Sequence, residues 1–206
     1  MTLKLAVLGD SIAYGQGAAR PADTVAARLS TVLTHDGIPN DTRIFAVPGA
    51  RSRDLAAQVQ RTLPWRPDLA LIIIGANDLT RFVPPQQAAA QLESAVRALR
   101  SASAEVIVAP APDLSVVPWV PPQMRATVRA ASQLLHDAQT AAALAAGAHA
   151  ADIGMTSTAG FAQDQDLFSA DRFHPSSAGY AVIAAALTPT VRTAASRRLI
   201  PRSPAA

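Results

Sequence analysis

Asp68-Leu69-Ala70-Leu71-Ile72-Ile73-Ile74-Gly75-Ala76-Asn77-Asp78 is the stretch on which the fold turns. From Leu69 to Ile74 it is apolar without alternation, which argues for a strand buried on both faces, as in a parallel sheet covered by helices on each side. Glycine stops the run, and Asn77 and Asp78 follow. The N-terminus repeats the pattern, with Leu3-Lys4-Leu5-Ala6-Val7-Leu8 passing into Gly9-Asp10-Ser11. Ligands of open α/β sheets collect just beyond such strand ends.

Between these two strands, residues 21–36 read as a helix, with Ala26, Leu29, Val32 and Leu33 at helical spacing and Gly37 to end it. Arg43–Val47 is a strand stopped by Pro48-Gly49. Ser52 is placed to cap the next helix, in which Leu55, Val59 and Leu63 make one face before Pro64 and Pro67 close it. Beyond Asp78 come a helix over Gln86–Arg100, a strand over Glu105–Ala109, and a proline-rich loop holding Trp119. A long helix over Gln123–Ala146, a short strand over His149–Ile153 and a polar loop lead to Asp171-Arg172-Phe173-His174-Pro175. The last helix spans Ser177–Thr193. Strands alternating with helices imply a parallel sheet of about five strands. Residues 1–193 form one domain, and 194–206, rich in arginine, proline and serine with little to bury, are expected to be a disordered basic tail.

The 206 residues suit a single core, and the 50% apolar content with only 4% aromatic residues points to aliphatic strands against alanine-rich helices. Without cysteine there is neither a disulfide framework nor a thiol nucleophile or thiolate metal site. The formal charge is +3, and all basic residues but Lys4 are arginine, four of them in the last fifteen positions. Basic patches interleaved with aromatics are missing, so no nucleic-acid partner is expected. No stretch approaches the roughly 20 apolar residues that cross a bilayer, and the N-terminal run is too short for a secretory signal. A cytoplasmic protein is the expectation; its oligomeric state is not legible.

At the strand ends stand Ser11, Gly49 and Asn77, with Asp171 and His174 before the last helix. Acyl transfer by serine needs a neutral imidazole to take the hydroxyl proton, a carboxylate to fix the imidazole tautomer, and donors for an oxyanion. Asp171, three residues before His174, can reach Nδ1 and leave Nε2 facing Ser11. The N–H groups of Ser11 and Gly49 and the Asn77 amide can serve as donors. Asp10 is expected to hold the turn without useful titration, and Asp78 to cap a helix. His35, His136 and His149 read as surface or packing residues, so no metal site is expected. Trp119, in a proline-stiffened apolar loop, either lines an acyl or leaving-group pocket or pins the loop to the body.

Gly9-Asp10-Ser11, Gly49, Gly75-x-Asn77-Asp78 and Asp171-x-x-His174-Pro175 together resemble the SGNH hydrolases, the GDSL esterase/lipase family, in the family's order. Two positions depart from its pattern: Ile12 stands where leucine is frequent, and Val47-Pro48-Gly49 lacks the asparagine often found before the glycine. The resemblance implies a flavodoxin-like three-layer α/β/α fold, no metal or organic cofactor, and a Ser11-His174-Asp171 triad with Gly49 and Asn77 as oxyanion donors. It further implies a small-molecule ester substrate with a small or medium acyl chain, cleaved through an acyl-enzyme. A carbohydrate O-deacetylase, an acyltransferase, a thioesterase or a lysophospholipase can use the same residues. The reading from another class is a non-catalytic flavodoxin-like binding module, for which the opening turn lacks the G-x-G-x-x-G phosphate fingerprint.

Overall fold

A computed structural model describes residues 2–151 and 153–199, with the backbone alone for 154–157. Five parallel strands form one sheet: β1 (Leu3–Gly9), β2 (Asn40–Ile44), β3 (Leu69–Ile73), β4 (Glu105–Ala109) and β5 (His149–Ala150). Their order is β2-β1-β3-β4-β5, the flavodoxin-like arrangement, with β1 and β3 side by side from Leu5–Leu69 to Gly9–Ile73. The helices in chain order are α1 (Ser11–Tyr14), α2 (Val25–His35), α3 (Leu55–Thr62), α4 (Ala76–Thr80), α5 (Pro85–Ser101), α6 (Arg125–Ala145), α7 (Gly154–Gln163) and α8 (Ser177–Leu199).

Because side chains alternate across a strand, each strand feeds both faces of the sheet. Leu5, Val7, Leu71, Ile73 and Ile107 pack against α2 and α8, through Leu29, Leu33, Ile183 and Leu187. Ala6, Leu8, Ile72, Val106 and Val108 pack the other way, against Leu55 and Val59 of α3 and Leu92, Val96 and Leu99 of α5. Every residue of β3 and β4 is buried. The result is a three-layer α/β/α sandwich in which the central strands are covered on both sides.

The structure departs from the sequence expectations at several elements. β2 lies at Asn40–Ile44 and not at Arg43–Val47, and it is half-exposed because it is an edge strand. Phe45, Ala46 and Val47 nevertheless stay on β1 through bonds to the carbonyls of Val7 and Gly9. The polar loop after β5 contains α7, whose Gly154-Met155-Thr156-Ser157-Thr158 start carries no helical apolar period. The expected strand over His149–Ile153 shrinks to His149–Ala150, and Asp152 lies outside the described residues. The expected disordered tail from Ala194 is also corrected, since α8 runs to Leu199 with Ala194 and Ala195 fully buried. Alanine needs only a helical register to bury itself, and the neighbouring arginines reach outward, Arg198 pairing with Asp68. Residues 200–206 lie outside the described residues.

Candidate active site

The site forms where β1 ends. Gly9 has a φ of +130°, and a Cβ there would lie 1.8 Å from the Ile73 carbonyl oxygen of β3, so only glycine permits this turn. Asp10 follows in extended backbone and caps α1, its Oδ1 accepting from the Ile12 N–H at 2.9 Å. Ser11 is thereby set at the first position of α1, 5% exposed. From α3, Gln58 braces the turn with its amide, accepting from the Gly9 N–H and donating to the Gly9 carbonyl, both at 2.8 Å.

Facing Ser11 is the loop before α8. Ser169 N–H donates to the His174 carbonyl at 2.8 Å, closing a tight loop in which Arg172 takes a left-handed φ of +54°. Inside it, Asp171 Oδ1 accepts from the Ser169 hydroxyl and from the N–H groups of Phe173 and His174, at 2.8–2.9 Å. Oδ2 accepts from His174 Nδ1 at 2.6 Å, and His174 Nε2 stands 3.0 Å from Ser11 Oγ. Burial raises the Asp171 carboxyl, but the His174 ring and these donors outweigh it and hold the group well below the usual carboxylate range. An ionised Asp171 places the imidazole proton on Nδ1, which leaves Nε2 to accept from the Ser11 hydroxyl. Tyr180, fully buried in α8, donates to the Gln16 carbonyl at 2.7 Å and so ties the α1 turn to the helix that follows His174.

Gly49 and Asn77 arrive on the neighbouring strands. Val47 N–H donates to the Gly9 carbonyl at 3.1 Å, which lays the Pro48-Gly49 turn beside the Ser11 turn, and Gly49 itself has a φ of +79°. Asn77 sits in α4, directly beyond β3. Among the described residues, neither the N–H of Ser11 or Gly49 nor the Asn77 side-chain amide donates to another protein group.

Two of the acidic residues behave differently from expectation. Asp10 is 1% exposed, and its carboxyl is pushed up to about 7, first by burial and further by the nearby charge of Asp78. Asp78 does not cap a helix, and Ser52 does not cap one either. The Ser52 N–H and hydroxyl both turn to the fully buried Asp78 carboxylate, the hydroxyl at 2.8 Å. Sequence reasoning missed this pair, as it missed Gln58. A usable signal existed for Gln58, since Leu55, Gln58, Val59 and Thr62 share the buried stripe of α3.

An apolar cavity of about 80 Å³ is lined by Ile12, which follows Ser11 in the chain, by Phe173 and Pro175 on either side of His174, and by Phe161, Phe168 and Ile183. Trp119 is not part of its wall. It is 56% exposed and stacks on Phe173 at 5.4 Å between ring centroids, and the Phe173 ring meets that of His174 edge-on at 5.0 Å. Among the described residues no group of three His, Asp or Glu side chains is placed to hold a metal ion.

Comparisons with known proteins bear on the family and the fold. The GDSL-like Lipase/Acylhydrolase family model matches residues 7–182. A GDSL-like esterase of Mycobacterium tuberculosis is 36% identical over 204 residues; the alignment takes in 95% of this chain but only 63% of that protein. Among solved structures, TesA superposes with a TM-score of 0.73 at 22% identity, over 92% of this chain and 98% of that one. The psychrotrophic esterase EstA from Pseudoalteromonas sp., solved with monoethylphosphonate as inhibitor, has a TM-score of 0.72 at 18% identity, over 92% and 97% of the two chains. An acetylxylan esterase, Axe2, from Geobacillus stearothermophilus has a TM-score of 0.72 at 21% identity, over 93% and 95%. At these identities the solved structures speak for the fold alone. The family model, however, runs from within β1 into α8 and so takes in each segment that meets at Ser11, which makes this chain a member of the GDSL-like lipase/acylhydrolase family.

Proposed function

We propose that this protein is a serine esterase that cleaves carboxylic esters of small or medium acyl chains through an acyl-enzyme on Ser11. The observation that carries the reading is the line of contacts from Asp171 through His174 to Ser11, 2.6 and 3.0 Å long, on residues 163 positions apart. A binding module has no need of such a line.

Ser11 Oγ attacks the ester carbonyl as His174 Nε2 takes its proton, and the imidazolium that forms is stabilised by the Asp171 carboxylate. The carbonyl oxygen becomes an oxyanion held by the N–H groups of Ser11 and Gly49 and by the Asn77 amide, all three unengaged among the described residues. His174 then passes its proton to the leaving alkoxide, and the alcohol departs. A water molecule, deprotonated by the same imidazole, attacks the acyl-enzyme; the acyl–Oγ bond breaks, His174 returns the proton to Ser11 Oγ, and the carboxylic acid is released.

The apolar cavity beside Ile12 is suited to a short acyl chain. Phe173 meets the imidazole that protonates the leaving group and Trp119 stacks on Phe173, so we assign Trp119 to the alcohol side of the substrate. O-deacetylation of a carbohydrate, acyl transfer to a second alcohol, and thioester or lysophospholipid cleavage use the same chemistry; a series of acyl and alcohol groups with product analysis separates them.

The test is turnover of p-nitrophenyl acetate and butyrate by purified variants. Ser11→Ala and His174→Ala are expected to fold and to lose about 10⁴-fold or more in kcat/KM, with Asp171→Asn somewhat less damaging. Turnover retained by a folded Ser11→Ala variant removes the reading.

A further inference from the structure

Behind the oxyanion donors lies a buried polar chain that the reaction as described leaves unused. Gln139 of α6 is fully buried, on the stripe of the helix that it shares with Ser132, Leu135 and Ala143. Its Oε1 accepts from the Ala111 N–H, just past the end of β4, at 2.8 Å. Its Nε2 donates to Ser52 Oγ at 3.4 Å, and Ser52 in turn gives its hydroxyl proton and its N–H to Asp78. Ser52 lies three residues past Gly49, and Asp78 immediately follows Asn77. The chain Ala111–Gln139–Ser52–Asp78 therefore joins the segment that carries Gly49 to the segment that carries Asn77, and anchors both to β4.

A second observation points to the same place. Gly75, two residues before Asn77, has a backbone in which an added Cβ would lie 2.6 Å from Ala111 Cβ and 3.1 Å from Gln139 Oε1. The Gln139 amide thus fills the space against the turn from which α4 starts, and the turn is glycine because the amide and Ala111 are there.

The polarity of the chain also fixes its direction. Asp78 accepts from the Ser52 N–H on both oxygens and from the hydroxyl, so the single Ser52 hydroxyl proton is committed to it. Ser52 Oγ is left with lone pairs only, and a donor must meet it. A primary amide supplies a donor to Ser52 and an acceptor to Ala111 at once, which neither a carboxylate nor an apolar side chain of the same length does.

Building on the esterase reading above, we propose that Gln139 is a positioning residue for the oxyanion hole. It touches no substrate, and it sets the separation of Gly49 and Asn77 through Ser52 and Asp78. Oxyanion donors act by being in place before charge develops, so a brace that holds two of them contributes to the transition state more than to substrate binding.

The experiment compares Gln139→Met, Ser52→Ala and Asn77→Ala with wild type, using p-nitrophenyl butyrate, with circular dichroism and melting curves for each. Gln139→Met keeps the length and loses both hydrogen bonds; kcat is expected to fall by about tenfold, through misplaced donors, with KM within about twofold. Ser52→Ala breaks the same chain at its centre and is expected to show the same pattern, which keeps the test usable if Gln139→Met does not fold. Asn77→Ala, which removes a donor outright, is expected to lose about 10²–10³ in kcat. A folded Gln139→Met or Ser52→Ala variant with wild-type kcat, or with a loss confined to KM, overturns the brace while leaving the esterase reading in place. Full activity of Asn77→Ala instead overturns the oxyanion assignment on which the brace rests.

Discussion

Two carboxylates close to Ser11 have opposite electrostatic histories. Asp171 sits in a loop that supplies it with four donors and is held ionised, as the proposed orienting role beside His174 requires. Asp10, adjacent to Ser11 in the chain, is buried, with Asp78 nearby, and rises to about 7. Such a group favours the folded state in its protonated form. Between about pH 4, where an unfolded Asp titrates, and pH 7 the native state binds the extra proton, so stability declines as pH rises through that window. Asp10→Asn keeps an oxygen for the Ile12 N–H and carries no charge. Melting temperatures from pH 5 to 8 should therefore decline less steeply in Asp10→Asn than in wild type, by a difference worth a few kcal/mol; parallel profiles would show that Asp10 does not titrate in this range.

At the scale of elements, the central strands announce themselves and the edges do not. β1, β3 and β4 are apolar runs ended by glycine or proline, and their burial on both faces is what such runs mean. β2, with Asn40, Asp41, Thr42 and Arg43, looks like a loop because one side of an edge strand meets water, whereas Phe45–Val47 looks like a strand because it leads into the site. That Ser11, His174 and Asp171 meet was legible, because acyl-transfer chemistry asks for these residue types together wherever they fall in the chain. Ser52 and Asp78 read as helix caps because their pairing spans 26 residues and leaves no local signal, and Gln58 and Gln139 were missed because a polar side chain on a helix reads as solvent-facing until the buried stripe it shares with Leu55 or Leu135 is noticed.

The two turn glycines make a contrast that can be measured. A methyl at Gly9 would run into the backbone of β3, while at Gly49 nothing lies within 4 Å and only the positive φ resists. Gly9→Ala is expected to prevent folding or to lower stability by more than about 3 kcal/mol, and Gly49→Ala to cost about 1–2 kcal/mol. Equal melting temperatures for the two variants would contradict this account of the turn at Ser11.

For the whole molecule, the question is where the folded domain stops. The buried Ala194 and Ala195 and the Arg198–Asp68 pair extend α8 beyond Thr193 and hold its end against the start of β3. Ending the chain after Thr193 should therefore lower stability by about 2 kcal/mol, chiefly from lost apolar burial, and the melting temperature by about 4–8 °C. A truncated chain that melts with the full one would return these residues to the status of a tail. Among the described residues no helix is long and apolar enough to cross a membrane. The same scale explains the site: the sheet order brings β1 between β2 and β3, so the turns after all three strands converge, and α8 supplies the wall from which the His174 loop projects.

The central claim is that this convergence makes a nucleophile of a serine that would otherwise be an ordinary turn residue. It is tested most directly by incubating the protein with a fluorophosphonate and locating the adduct by mass spectrometry. The account predicts a single adduct on Ser11, formed in step with the loss of ester turnover and absent in His174→Ala. Complete loss of turnover with the adduct on another residue, or unmodified Ser11 in an enzyme that still cleaves esters, would contradict it.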